Sequence, residues 1–194
     1  WSKTKKMSPY LFTFVCGYYK IFEEAVYSSN VSGSSIPVKM WALASSEAAQ
    51  VLVSFETCVA AVCKSLELCE EYFDVACELP KIDLVIVPRL SFGGVCFLVV
   101  LICFFLLTIF FWQMETWGCI LLSALANARD AKSANAAALK KKAEAFIQLV
   151  VHEIVHFWLG NLVALPVWAK EGLAEYFESY FGATVCASVL AGGS

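Results

Sequence analysis

The chain has 194 residues, 60% of them hydrophobic, with a formal net charge of -3. That length suits one domain with a real core, or parts of two. The mildly acidic balance, with Lys140-Lys141-Lys142 as the one tight basic run, argues against a nucleic-acid partner. Taken in chain order, Met7 to Phe22 is rich in aromatic and β-branched residues and is predicted as strand. Asn30 to Ser35 is a Ser/Gly/Asn loop and a plausible boundary, and Pro37 to Ala44 reads as a second strand. Ser46 is a good N-cap, and apolar residues recur at helical spacing from there to Phe73 (Val51, Phe55, Val59, Val62, Leu66, Cys69). Lys81 to Pro88 is a short, mostly buried strand, and Met114 to Leu122 another. Ala134 to Asn161 is a long helical pattern, Pro166 breaks it, and Trp168 to Phe181 is a second helix. Strands and helices segregate, so the fold class is α+β.

The 9 cysteines form no C-x-x-C pair and no Cys/His finger spacing. They read as reduced, mostly buried thiols of a reducing compartment, which gives a cytoplasmic expectation. The chain opens on Trp1, so its natural start is expected upstream.

Residues 152–156 read His-Glu-Ile-Val-His, an H-E-x-x-H motif. On a helix the two imidazoles stand one turn apart on one face, so both can reach one zinc ion. Glu153 follows the first ligand and can take a proton from a zinc-activated water as it attacks a carbonyl. Ile147, Val150, Val151 and Val155 give the helix a buried body, as a rigid ligand platform needs. An isolated H-E-x-x-H also arises by chance in unrelated helices. Here both histidines of the chain fall in the motif, and Glu171 on the next helix can fold back as a third ligand.

HEIVHFWLGNLV followed by KEGLAEYFE resembles the gluzincin zinc aminopeptidases, the family of aminopeptidase N and puromycin-sensitive aminopeptidase. Their zinc segment reads H-E-x-x-H-x-W-F-G-N-L-V, then W-L-N-E-G-F-A. WSKTKKMSPYLFTFVCG, IPVKMWA, CEEYFDVACELPKIDLVIVP and SFGG resemble further blocks in the same order. The resemblance implies that residues 1–30 end an N-terminal β domain and that 36–194 are part of a thermolysin-like catalytic domain. It implies one Zn2+ on His152, His156 and Glu171, with Glu153 as general base. The substrates implied are peptides with a free N-terminus. Met114-Glu115-Thr116 resembles the G-x-M-E-N exopeptidase motif, so Glu115, with Gly94 and Met114, would hold the substrate amino terminus. A carboxylate there can fix an ammonium at a set distance from the scissile carbonyl. Thr116 replaces the family Asn. Glu178, two turns after Glu171, either orients a metal ligand or is an exposed helix carboxylate.

Three departures stand out. In the family the Gly pair runs straight into Met-Glu-Asn, whereas here Val95 to Gln113 intervenes, and removing it gives SFGGMETWG. The insertion is mainly Phe, Leu, Ile and Val, whose codons share T at the middle position. It opens on Val (GT-) and closes on Gln (CAG among its codons), so it reads as a translated intron. The rival is a membrane-spanning helix over 95–112, just long enough to span but without flanking Lys/Arg anchors; a buried hairpin is the third option. The connection Phe157 to Lys170 is about one helical turn shorter than in the family, which puts the reach of Glu171 in question. The family's catalytic tyrosine lies well beyond Glu171, and Tyr176 and Tyr180 are too close to match it. The expectation is therefore an aminopeptidase fragment with little activity of its own. The competing readings are an inactive truncated product and a membrane-anchored protein.

Overall fold

The computed structural model describes residues 6–44, 54–87, 113–123 and 136–191. Its sheet has five strands: β1 (Tyr19–Ser28), β2 (Ser35–Leu43), β3 (Ile82–Val87), β4 (Gln113–Met114) and β5 (Cys119–Ser123). Their order is β1-β2-β3-β5-β4, with β2, β3 and β5 parallel and both edges antiparallel. Among the described residues three helices pack with it: α1 (Phe55–Phe73), α2 (Ala136–Val155) and α3 (Val167–Ala191). The architecture is α+β with a mixed sheet.

The parallel centre follows from composition. Ile82, Leu84, Val85 and Ile86 of β3 are all buried, as expected for a strand between two parallel neighbours with its faces covered. α1 carries the chain from β2 across to β3 and packs on β1 and β2, and against both later helices. Glu70, buried on α1, accepts hydrogen bonds from Tyr27 Oη (2.8 Å), Ser29 Oγ (2.8 Å) and the Cys77 amide (2.7 Å). These bonds tie the β1–β2 hairpin to the end of α1 and satisfy a carboxylate that would be costly if buried alone.

Several boundaries differ from expectation. Met7 to Phe22 is not one strand. Pro9 opens a 3-10 turn (Pro9–Leu11), Phe14 and Tyr18 stand exposed, and β1 begins only at Tyr19. β1 then pairs with β2 from Tyr19↔Leu43 to Ser28↔Ser35, so one sheet runs through the loop expected as a boundary. Met114 to Leu122 is two strands, because Gly118 adopts φ +73° and turns the chain between β4 and β5. A Cβ at Gly118 would come within 3.0 Å of the Lys81 carbonyl oxygen, so the turn demands glycine. α1 is capped by Ser54, whose Oγ accepts from the Thr57 amide at 3.1 Å. α2 stops at Val155, short of Asn161, and α3 runs ten residues past Phe181 to Ala191. The expected cap Ser46, Gly94 and Val95 to Trp112 lie outside the described residues. Among the described residues no helix is long and apolar enough to cross a membrane, and the seven cysteines are all free.

Candidate metal centre

α2 supplies the platform. Phe146, Ile147, Val150, Val151, Ile154 and Val155 are buried, which fixes the rotation of the helix and sets His152 and Glu153 on its inner side. His156 stands one residue beyond the helix, but its amide still bonds to the His152 carbonyl at 3.3 Å. The helical spacing of the two imidazoles is thereby kept.

The chain then reverses tightly. Phe157 and Trp158 donate back to Ile154 and Val155, and Gly160 bonds to Val163. Gly160 has φ +128°, a conformation open mainly to glycine. A Cβ there would also stand 3.3 Å from Lys170 Cδ and 3.5 Å from His156 Nδ1. Pro166 precedes α3, which returns Lys170 and Glu171 to α2 within its first turn and a half. The short connection therefore does bring Glu171 beside the histidines.

His152 Nε2 and His156 Nε2 lie 3.1 Å apart, and Glu171 Oε2 is 3.4 Å from the first and 3.5 Å from the second. The three residues offer ligand atoms within 4.8 Å of one another. Ligand atoms around a tetrahedral zinc at about 2.0–2.1 Å stand about 3.3 Å apart, so these separations fit the ion. The outer ring nitrogens are occupied. His152 Nδ1 meets Glu178 Oε2 at 3.0 Å, and His156 Nδ1 meets the Leu159 carbonyl at 3.1 Å. A neutral ring donating from Nδ1 presents a lone pair at Nε2, and two such lone pairs face one point only if a cation or proton lies between them.

The electrostatics agree. Burial pulls the His152 pKa down, but hydrogen bonds to Glu171 and Glu178 and the Glu153 charge outweigh it and raise it to about 10. Glu171 is pushed by burial toward the neutral acid, yet the two histidines and Lys170 hold it well below the usual carboxylate range. Burial lifts Glu153 to about 7, against the pull of His156 and His152. Glu153 Oε2 is buried without a hydrogen-bond partner. An orphaned carboxylate oxygen of this kind marks a place where something else binds.

Glu115 follows β4 and is buried beside this cluster. Its carbonyl accepts from Asn161 Nδ2 at 2.8 Å, and its carboxylate meets the Lys170 ammonium through Oε1. Met114 pairs with Leu121 in the edge strand, and Thr116 Oγ1 donates to the Cys119 carbonyl within the turn. The structure thus gathers His152, Glu153, His156, Glu171, Glu178 and Glu115; Gly94 lies outside the described residues. Asn161 and Lys170 are the participants that sequence reasoning missed. Lys170 had a signal, since it stands where the resembled family string carries Asn before the Glu ligand.

Residues 97–190 match the model of the Peptidase family M1 domain. The chain is 27% identical over 185 residues to puromycin-sensitive aminopeptidase of Caenorhabditis elegans, covering 93% of this chain and 16% of the relative. It is 27% identical over 180 residues to endoplasmic reticulum aminopeptidase 2 of Bos taurus, covering 90% and 15% respectively. It is 32% identical over 117 residues to the thyrotropin-releasing hormone-degrading ectoenzyme of Rattus norvegicus, covering 58% and 9%. The chain spans less than a fifth of the length of each of these relatives. The family-model match lies over the helices that carry the His/His/Glu cluster, and in that part the chain is similar to peptidase family M1.

Proposed function

We propose that this chain carries the zinc-binding part of an aminopeptidase, with one Zn2+ held by His152, His156 and Glu171. The observation that carries the reading is the ring of three ligand atoms set beside the unpartnered Glu153 Oε2. Bound there, zinc would polarise a peptide carbonyl and make a water molecule nucleophilic. Glu153 performs the proton transfers. Its carboxylate takes a proton as the water oxygen bonds to the carbonyl carbon, and delivers it to the amine nitrogen as the C–N bond breaks. Glu178 fixes the tautomer and orientation of His152. Glu115 anchors the α-ammonium of a peptide, so that cleavage falls after its first residue. The names of the relatives support the exopeptidase assignment, since they include puromycin-sensitive aminopeptidase and aminopeptidase A. The mixed sheet, with an antiparallel edge strand that leads into Glu115, supports a thermolysin-like half-domain.

Equilibrium dialysis against zinc tests the site. Wild type and Glu153→Gln should each retain one ion, while His152→Ala and His156→Ala should not. Any release of aminoacyl anilide by this chain, or by a longer form containing it, should fall about 10²–10⁴-fold in Glu153→Gln. Undiminished zinc affinity in both histidine variants would overturn the assignment.

A further inference from the structure

Lys170 is an unusual residue to find buried. Only 7% of its surface is exposed, its ammonium contacts Glu115 Oε1, and it stands 3.1 Å from Glu171 Oε1. Its place is built on several sides. The Tyr10 ring lies 4.8 Å from the ammonium, and the stem passes over Gly160, where a Cβ would stand 3.3 Å from Cδ. Asn161 holds the backbone of Glu115 from the other side. Burying a lysine is costly unless its charge is paired and hydrogen-bonded, and here it is paired twice.

The two carboxylates divide their oxygens. Glu171 turns Oε2 to both histidines and Oε1 to the lysine. Glu115 gives Oε1 to the lysine; a carboxylate has about four acceptor sites, so Oε2 keeps capacity for another donor. We infer that Lys170 is a positioning residue, whose one ammonium sets both the rotation of the metal-ligand carboxylate and the distance from the metal centre to the seat of the substrate amine. This rests on the proposed role of Glu115. As the residue directly before Glu171 on a helix, Lys170 has little freedom to move relative to that ligand.

The test is binding by the zinc-loaded full chain of leucine hydroxamate and of N-acetyl-leucine hydroxamate, which differ in the α-ammonium. The readout is the ratio of the two affinities. A general loss of structure or zinc weakens both ligands together and leaves that ratio alone. Wild type should favour the free amine at least about tenfold, on the scale of one charge-assisted contact. Lys170→Met should bring the ratio close to one, and Lys170→Gln supplies the same reading if the Met variant does not fold. If Glu115→Gln abolishes the preference but both Lys170 variants keep it, Glu115 is the amine anchor and the lysine does not position it. A preference that rises in the Lys170 variants makes the lysine a competitor for the anchor and also overturns the proposal. If wild type shows no preference, the Glu115 reading fails, and this inference with it.

Discussion

His152 is pulled two ways. In the zinc-free chain Glu171 and Glu178, acting against burial, hold its proton up to about pH 10, while a metal needs the ring neutral. A histidine raised in the folded state stabilises the fold fully below its unfolded value of about 6.5, and that contribution is lost as the pH climbs through about 10. Zinc reverses the dependence: its binding must expel the His152 proton, so apparent affinity rises with pH across the same window. Calorimetry of zinc uptake at pH 7.5 in buffers of different ionisation enthalpy should therefore show about one proton released per ion from this ring. No buffer dependence would mean that His152 is already neutral and that the Glu171 and Glu178 contacts do not act as described. The meeting of His152 and His156 was legible in the sequence, because helical spacing alone puts two imidazoles on one face. Lys170 stood out in the sequence only as a departure from the resembled string; a lysine in a helical pattern is ordinarily solvated, and only the fold shows its ammonium between two carboxylates.

Between α2 and α3 the connection is about one turn shorter than the resembled family pattern, and it still closes because the chain reverses at once. The reversal depends on Gly160. Its backbone conformation is strained for any L side chain, and a Cβ would press on Lys170 and His156 together. Gly160→Ala should lower stability by about 1–3 kcal/mol, read as an earlier denaturant midpoint. It should also weaken zinc binding, because the crowded atoms belong to one ligand and to the neighbour of another. An alanine variant with unchanged midpoint and zinc affinity would show that the turn tolerates a Cβ. The α-helices and β3 were legible from periodicity and from a continuous apolar run. Their ends were less so: the break between β4 and β5 depends on positive-φ Gly118, and α2 stops at Val155 ahead of a reversal that uses positive-φ Gly160. A hydrophobic pattern cannot show these, since the same residues would also suit an unbroken element.

At the scale of the whole molecule, sheet and helices share one apolar core, from Ile36, Val38 and Met40 through Ile120 and Leu122 to Phe177 and Val185. The aromatic contacts Phe73–Trp158 (6.0 Å) and Phe73–Phe177 (5.2 Å) bind α1 to both segments that carry the His/His/Glu cluster. Into this frame the sequence inserts Val95 to Gln113 just before the edge strand that leads to Glu115. So long an apolar run needs a surface to bury it, and an exposed patch of that size promotes aggregation. Joining Gly94 directly to Met114 should raise the soluble yield and leave zinc binding at least as strong. Mature transcripts should lack the corresponding stretch, with GT and AG at its genomic edges. Transcripts that uniformly keep it would remove the intron reading and restore the case for a membrane segment.

The central claim is a ligand set, and the chain offers zinc an obvious alternative in its 9 cysteines. Among the described thiols, burial pushes Cys58 up to about 12 and Cys77 up to about 11, which disfavours the thiolate a metal would need. X-ray absorption at the zinc edge separates the two cases directly. The account predicts nitrogen and oxygen neighbours alone at about 2.0–2.2 Å, with the outer scattering of two imidazole rings, and loss of one ring in His156→Ala. A sulfur shell at about 2.3 Å, or a spectrum unchanged by His156→Ala, would contradict it.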